Sequence, residues 1–139
     1  MTPPARVIAS VAIPISADDA PGLQRADIVV DGLEQAGASF ELRVFLNNAA
    51  ADASSALAED AGYAGSIYIY GYGQPPDEVG SRSARPRLPM TRYVMATEAI
   101  RTAAAAGPTA VVTLVPVAAD APGADIDISD AQVTIRIGN

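Results

Sequence analysis

Alternation of side-chain character in two neighbouring segments constrains this chain more than any other feature. Residues 39–47 read Ser-Phe-Glu-Leu-Arg-Val-Phe-Leu-Asn, and residues 61–72 read Ala-Gly-Tyr-Ala-Gly-Ser-Ile-Tyr-Ile-Tyr-Gly-Tyr. Successive side chains of an extended strand point to opposite faces. Phe40, Leu42, Val44 and Leu46 therefore share one face, and Glu41, Arg43 and Phe45 the other. In the second segment Ile67 and Ile69 oppose Ser66, Tyr68, Tyr70 and Tyr72. The link between them is rich in Ala, Asp and Ser and carries no strong helical stripe. Two such strands predict the nucleus of an antiparallel sheet.

The rest of the chain extends that pattern. Residues 5–15 read as a first strand with Val7, Ala9, Val11 and Ile13 alternating, ended by Pro14 or marked by it as an edge strand. Residues 16–24, with Asp18-Asp19 and Pro21-Gly22, form a turn region. Residues 26–33 alternate again and lead through Gly32 into the strand at 39–47, which predicts a hairpin or consecutive meander strands. Good helix formers with Ser54 as cap suggest a short helix over 54–60, too short to stand alone. Residues 74–89 contain four prolines and read as a long Pro/Arg-rich loop. Residues 90–95 form a strand, and Thr97 caps a helical turn through Ala106, closed by Gly107-Pro108. Residues 110–117 are a β-branched strand broken by Pro116, followed by a turn at 119–124. In residues 125–137 the apolar positions switch from even (Ile126, Ile128) to odd (Val133, Ile135, Ile137), so a bulge or bend is expected near Asp130. About seven strands without strand–helix–strand spacing predict an all-β, antiparallel two-sheet β-sandwich with one or two helical turns. The 139 residues are read as one domain with a flexible lead at 1–4.

What is missing narrows the chemistry. The chain has no Cys, His, Lys or Trp. It therefore lacks a thiolate nucleophile, a disulfide, the commonest general base, the commonest transition-metal ligand and a Schiff-base amine. All nine positive charges are Arg, a bias that a GC-rich genome produces by codon usage alone. The net charge of −7 favours solubility and disfavours nucleic acid, which is bound through basic groups. No secretory signal and no run of about 20 apolar residues is visible. A cytoplasmic location is the default expectation, with export alongside a partner left open.

Candidate chemistry is sparse. Asp18-Asp19, Glu59-Asp60, Asp77-Glu78 and Asp125/Asp127 are the carboxylate pairs, and none has the glycine and distant glutamate of a calcium loop. Gly71-Tyr-Gly73 precedes Gln74-Pro75-Pro76 and so opens no phosphate-binding helix. No catalytic residues, metal ligands or cofactor are expected. Two features suit a protein partner instead. The Tyr68/Tyr70/Tyr72 ladder is either packed at the sheet rim, each phenol needing a buried partner, or turned outward as an amphipathic contact surface. Arg82, Arg85 and Arg87 make a basic cluster in the 74–89 loop, read either as a solvated connection or as a docking loop for an acidic surface.

Three ordered segments also carry a family resemblance: Asp-Ile-Val-Val-Asp-Gly-Leu at 27–33, Ser-Phe-Glu-Leu-Arg-Val-Phe-Leu-Asn-Asn at 39–48, and Ala-Gly-Tyr-Ala-Gly-Ser-Ile-Tyr-Ile-Tyr-Gly at 61–71. Together they resemble the C-terminal domain of tyrosinases, polyphenol oxidases and haemocyanins. Residues 92–100 and 110–117 are similar to that domain's last helical turn and closing strands, so the likeness spans about residues 26–137. It implies a sandwich of about seven strands. In that family the domain packs on a His-rich, helical dicopper domain, places a side chain over the copper entrance, and shields the site or assists assembly. This sequence contains none of the copper-binding histidines, so shielding would act on a separate protein. The ladder at Tyr68, Tyr70 and Tyr72 and the 74–89 loop are where a shielding residue is sought.

Two readings of function follow. In the first, the chain is a non-catalytic companion that docks on a tyrosinase-like copper oxidase and shields or matures it. In the second, it is a self-associating structural subunit or a general protein-binding module, its long strands pairing edge to edge in a homo-oligomer. An enzyme in its own right is disfavoured by the absent His, Cys and Lys.

Overall fold

The computed structural model describes residues 6–33, 39–70, 90–118, 126 and 128–138. Among them run seven strands and one α-helix: β1 (Val7–Ala12), β2 (Arg25–Leu33), β3 (Phe40–Leu46), β4 (Tyr63–Ile69), β5 (Met90–Met95), α1 (Thr97–Ala106), β6 (Thr109–Ala118) and β7 (Gln132–Gly138). They form two antiparallel sheets. Sheet A has the order β1-β6-β3-β4 and sheet B the order β5-β2-β7. The predicted sandwich is thus the observed architecture. The flexible lead at 1–4 and the loop at 74–89 lie outside the described residues, as do Asp77, Glu78, Asp125 and Asp127.

The alternation seen in the sequence builds the core. Phe40, Leu42, Val44 and Leu46 of β3, with Ile67 and Ile69 of β4 and Val112 and Leu114 of β6, face Ile28 and Val30 of β2, Val94 of β5 and Ile135 of β7. Each such aliphatic side chain contributes roughly 1.5–3 kcal/mol by leaving water. The opposite side of β3 is not bare. Phe45, Val115 and Ala51 form a second buried cluster with Tyr63 and Val117 against it, so the link after β3 folds back over the sheet. That link holds no α-helix at 54–60. A 3₁₀ turn at Glu59–Ala61 stands there instead, ended by Gly62 at φ 83°. Its side chains supply no apolar stripe to hold a longer helix.

Three other expectations are corrected. β2 and β3 are not a hairpin. Each is an inner strand with two neighbours already, β2 between β5 and β7 and β3 between β6 and β4, so the chain changes sheets between them. Period-two alternation fixes which face is buried but not which strand is the partner. Thr97 does not cap α1. Ala96 occupies that position without a side-chain cap, while the Thr97 hydroxyl accepts the Ala26 N–H at 3.2 Å and the Ala96 N–H donates to the Ala26 carbonyl at 2.8 Å. The pair ties the start of the helix to β2. Pro116 does not break β6 either. Val111 accepts the Asn47 N–H at 2.6 Å and donates to Asn47 Oδ1 at 2.9 Å, so odd-numbered residues of β6 turn their backbone polar groups toward β3. Pro116 therefore faces the β1 side, past the last described β1 pair at Val7–Leu114, so its missing N–H interrupts none of the described β1–β6 pairs.

The bend expected near Asp130 is present. Ile126 and Ile128 are buried, a turn follows in which Ala131 donates to the Ile128 carbonyl at 3.0 Å, and β7 begins with the opposite parity.

Candidate functional site

The tyrosine ladder of β4 points outward as far as it is described. Tyr68 is 62% exposed and Tyr70, just past the strand's end, is 74% exposed. Burial of these rings in the core is thereby excluded. Tyr72, Arg82, Arg85 and Arg87 lie outside the described residues.

A bulge aims this face. Val44 pairs with Gly65 but Phe45 pairs with Tyr63, leaving Ala64 as an extra residue in β4. Gly65 has φ +145°, and a Cβ built on it would lie 2.4 Å from Val94 Cγ1. The glycine thus lets β4 close against β5 of the other sheet, while the bulge brings Tyr63 onto the same outer face as Ser66 and Tyr68. A polar chain results. The Tyr63 hydroxyl and Ser66 Oγ are 2.6 Å apart, and Ser66 donates to Glu41 Oε2 at 2.7 Å. Glu41 Oε1 lies 3.1 Å from Arg43 Nε, close enough for an ion pair, although that buried Nε makes no aligned hydrogen bond. Arg43 Nη1 donates to the Ala53 carbonyl at 3.0 Å. The outer face beside Tyr68 is therefore fixed by hydrogen bonds, and the Phe45 and Tyr63 rings meet there at a tilt of 58° with their centroids 5.7 Å apart.

Sheet B carries a second cluster that sequence reading missed. Asp27 on β2 is only 3% exposed although it sits on the outer face of the sheet. Its carboxylate accepts from Arg25 Nε at 3.2 Å and from Arg136 Nη2 at 2.9 Å. Both guanidinium carbons lie over the Tyr93 ring, at 5.6 Å for Arg25 and 5.5 Å for Arg136. Burial works to raise the Asp27 pKa, but the hydrogen bonds and charges of Arg136 and Arg25 outweigh it, and the carboxyl is held below its ordinary value. Asp27 in turn raises the Arg25 pKa, chiefly through their hydrogen bond, and Tyr93 adds to it. The register offers a signal in hindsight, since Asp27 pairs directly with Arg136. Those residues are 109 apart in sequence, and nothing local links them.

An open cleft of about 540 Å³ lies at one end of the sandwich, lined by Leu46, Tyr63, Ala64 and Met95 with Glu59 and Glu98 among its polar residues. Asp18-Asp19 and Glu59-Asp60 are exposed, and no group of three or more potential metal ligands occurs among the described residues.

No protein-family model matches the sequence, and no curated protein matches it. The fold does match a solved structure. A latent aurone synthase, a polyphenol oxidase isolated from its natural source, superposes with a TM-score of 0.61 at 15% identity. The match covers 95% of this chain and 24% of that one, so this chain spans about a quarter of the structure it resembles. The likeness establishes a shared fold with a region of a polyphenol oxidase.

Proposed function

We propose that this sandwich is a non-catalytic module that docks on a separate tyrosinase-type copper oxidase and shields or helps mature it. The observation that carries the reading is the extent of the fold match: nearly the whole chain corresponds to one region of a polyphenol oxidase. The sequence supports the non-catalytic part, because it offers no His, Cys or Lys. Tyr68 and Tyr70 supply a contact surface of suitable character. Large aromatic side chains held outward over a hydrogen-bonded sheet lose little conformational freedom on binding, which is why they serve as interface anchors.

Affinity capture with the tagged chain from its native organism, read by mass spectrometry, tests the proposal. The expected result is recovery of a copper oxidase by the unaltered chain and its loss with Tyr68→Ser/Tyr70→Ser. Recovery of only the chain itself, with light scattering at a multiple of 14.2 kDa, would replace this reading with self-association. Turnover of a diphenol by the purified chain alone would refute the non-catalytic part.

A further inference from the structure

The outer face of sheet B combines features that a merely solvated sheet face does not need. Tyr93 is 51% and Met95 60% exposed on the edge strand β5. Beside them stand Arg25 and Arg136, whose side chains are 44% and 58% exposed above a carboxylate that is almost fully covered. Asp27 holds both guanidinium groups from beneath and the Tyr93 ring holds them from the side, so they are ordered before any ligand arrives. Among the described residues neither donates to a backbone carbonyl, unlike Arg6, Arg43, Arg92 and Arg101. Two guanidiniums over one carboxylate leave a local charge of +1 in a chain whose net charge is −7.

We propose that this face is a docking surface for an acidic peptide segment, whose carboxylates Arg25 and Arg136 grip while Tyr93 and Met95 cover a neighbouring apolar side chain. Guanidinium forks match carboxylates bidentately, and pre-ordering removes part of the entropy that flexible side chains lose on binding. The surrounding acidity selects among anions. An extended polyanion such as nucleic acid or an anionic membrane would meet repulsion from the rest of the chain, whereas a short segment brings its negative charge only where the two arginines stand. The apolar part of the patch also requires a ligand with carboxylates and an apolar group side by side. This surface lies on the sheet opposite to Tyr68 and Tyr70 and stands independently of the oxidase reading.

The chain has no Trp, so a Trp-bearing probe can be followed selectively by fluorescence anisotropy. The probe is a short peptide of glutamates around one leucine, with a version carrying Gln for every Glu as comparison. The expected result is binding of the Glu peptide that weakens as salt is raised, with little binding of the Gln peptide. Arg25→Gln and Arg136→Gln should each weaken it about tenfold. Arg92→Gln makes the same change in net charge on β5 away from the patch and should leave the affinity unaltered. If a single variant fails to fold, Asp27→Asn/Arg136→Gln removes the buried charge together with one of its partners and replaces it. Absence of binding, equal binding of the Gln peptide or an equal effect of Arg92→Gln would overturn the proposal. So would stronger binding to anionic lipid vesicles than to the peptide, or occupation of the face by a second copy seen in sedimentation.

Discussion

Replacing Gly65 by Ala tests how the two sheets are joined at the β4–β5 side. Two costs add. Ala at φ +145° must hold a backbone conformation that L-residues rarely adopt, roughly 1–3 kcal/mol. Its methyl would also lie 2.4 Å from Val94 Cγ1, and forcing an extra carbon into packed space costs roughly 1–3 kcal/mol. Together these predict a loss of about 2–6 kcal/mol in urea unfolding, a large part of the ~5–15 kcal/mol that holds a domain folded. The companion change separates the two terms. Val94 is 7% exposed, and Val94→Ala should cost about 2 kcal/mol in lost burial and residual cavity. In that background the 2.4 Å contact is gone and Val94 Cβ stands 3.6 Å from the new methyl, at ordinary contact distance. Gly65→Ala should then cost only the backbone part, so the double variant is more stable than the sum of the singles by about 1–3 kcal/mol. Strict additivity, within about 0.5 kcal/mol, would mean that Val94 does not fill the space over Gly65 and that the reasoning is wrong.

Two further outcomes are expected. Asp27 has a folded pKa below its unfolded value, so the stability it contributes is present above the unfolded pKa and is lost as pH falls through the folded one. Unfolding free energy measured against pH should therefore show Asp27→Asn less stable than the parent at neutral pH, with the gap closing below about pH 4, near the ordinary Asp value; a gap independent of pH would refute the assignment. Thr97→Val should cost about 1–3 kcal/mol in the same assay, because it leaves the Ala26 N–H without its acceptor. Thr97→Ser, which keeps the hydroxyl, should restore most of that loss.

The fold was legible where a pattern is local. Alternation in 39–47 and 66–70 sorted the side chains of β3 and β4 into the two faces that the structure shows but left open which way the tyrosine face turns, and the parity switch between Ile128 and Val133 located the bend before β7. It failed where the answer depends on residues far away. Nothing within 26–47 says that β2 and β3 belong to different sheets, because each strand's partners come from elsewhere in the chain. The same limit hid half of the candidate surfaces. Tyr68 and Tyr70 stood out as a local run, whereas Arg25, Asp27, Tyr93 and Arg136 meet only once β5, β2 and β7 lie side by side. Asp27 in particular reads as an ordinary solvent-facing strand residue until Arg136 is brought against it.

The use of Arg to the exclusion of Lys also acquires a physical side that codon bias does not supply. Arg6 donates to the Ala51 carbonyl, Arg43 to Ala53 and Arg101 to Leu23, each clamping a non-strand segment to the body of the sandwich. Arg101 reaches Glu98 as well. A planar fork makes several directed bonds at once, and a single ammonium on a flexible stem does so less rigidly. In a chain with an aliphatic core, no disulfides and few aromatic rings, such clamps give the loops around the sheets fixed positions. Arg25 and Arg136 depart from that use. Their partners among the described residues are a carboxylate and an aromatic face within the sheet itself, so what they hold in place is each other, on a surface facing solvent. That difference marks sheet B's outer face as something other than scaffold.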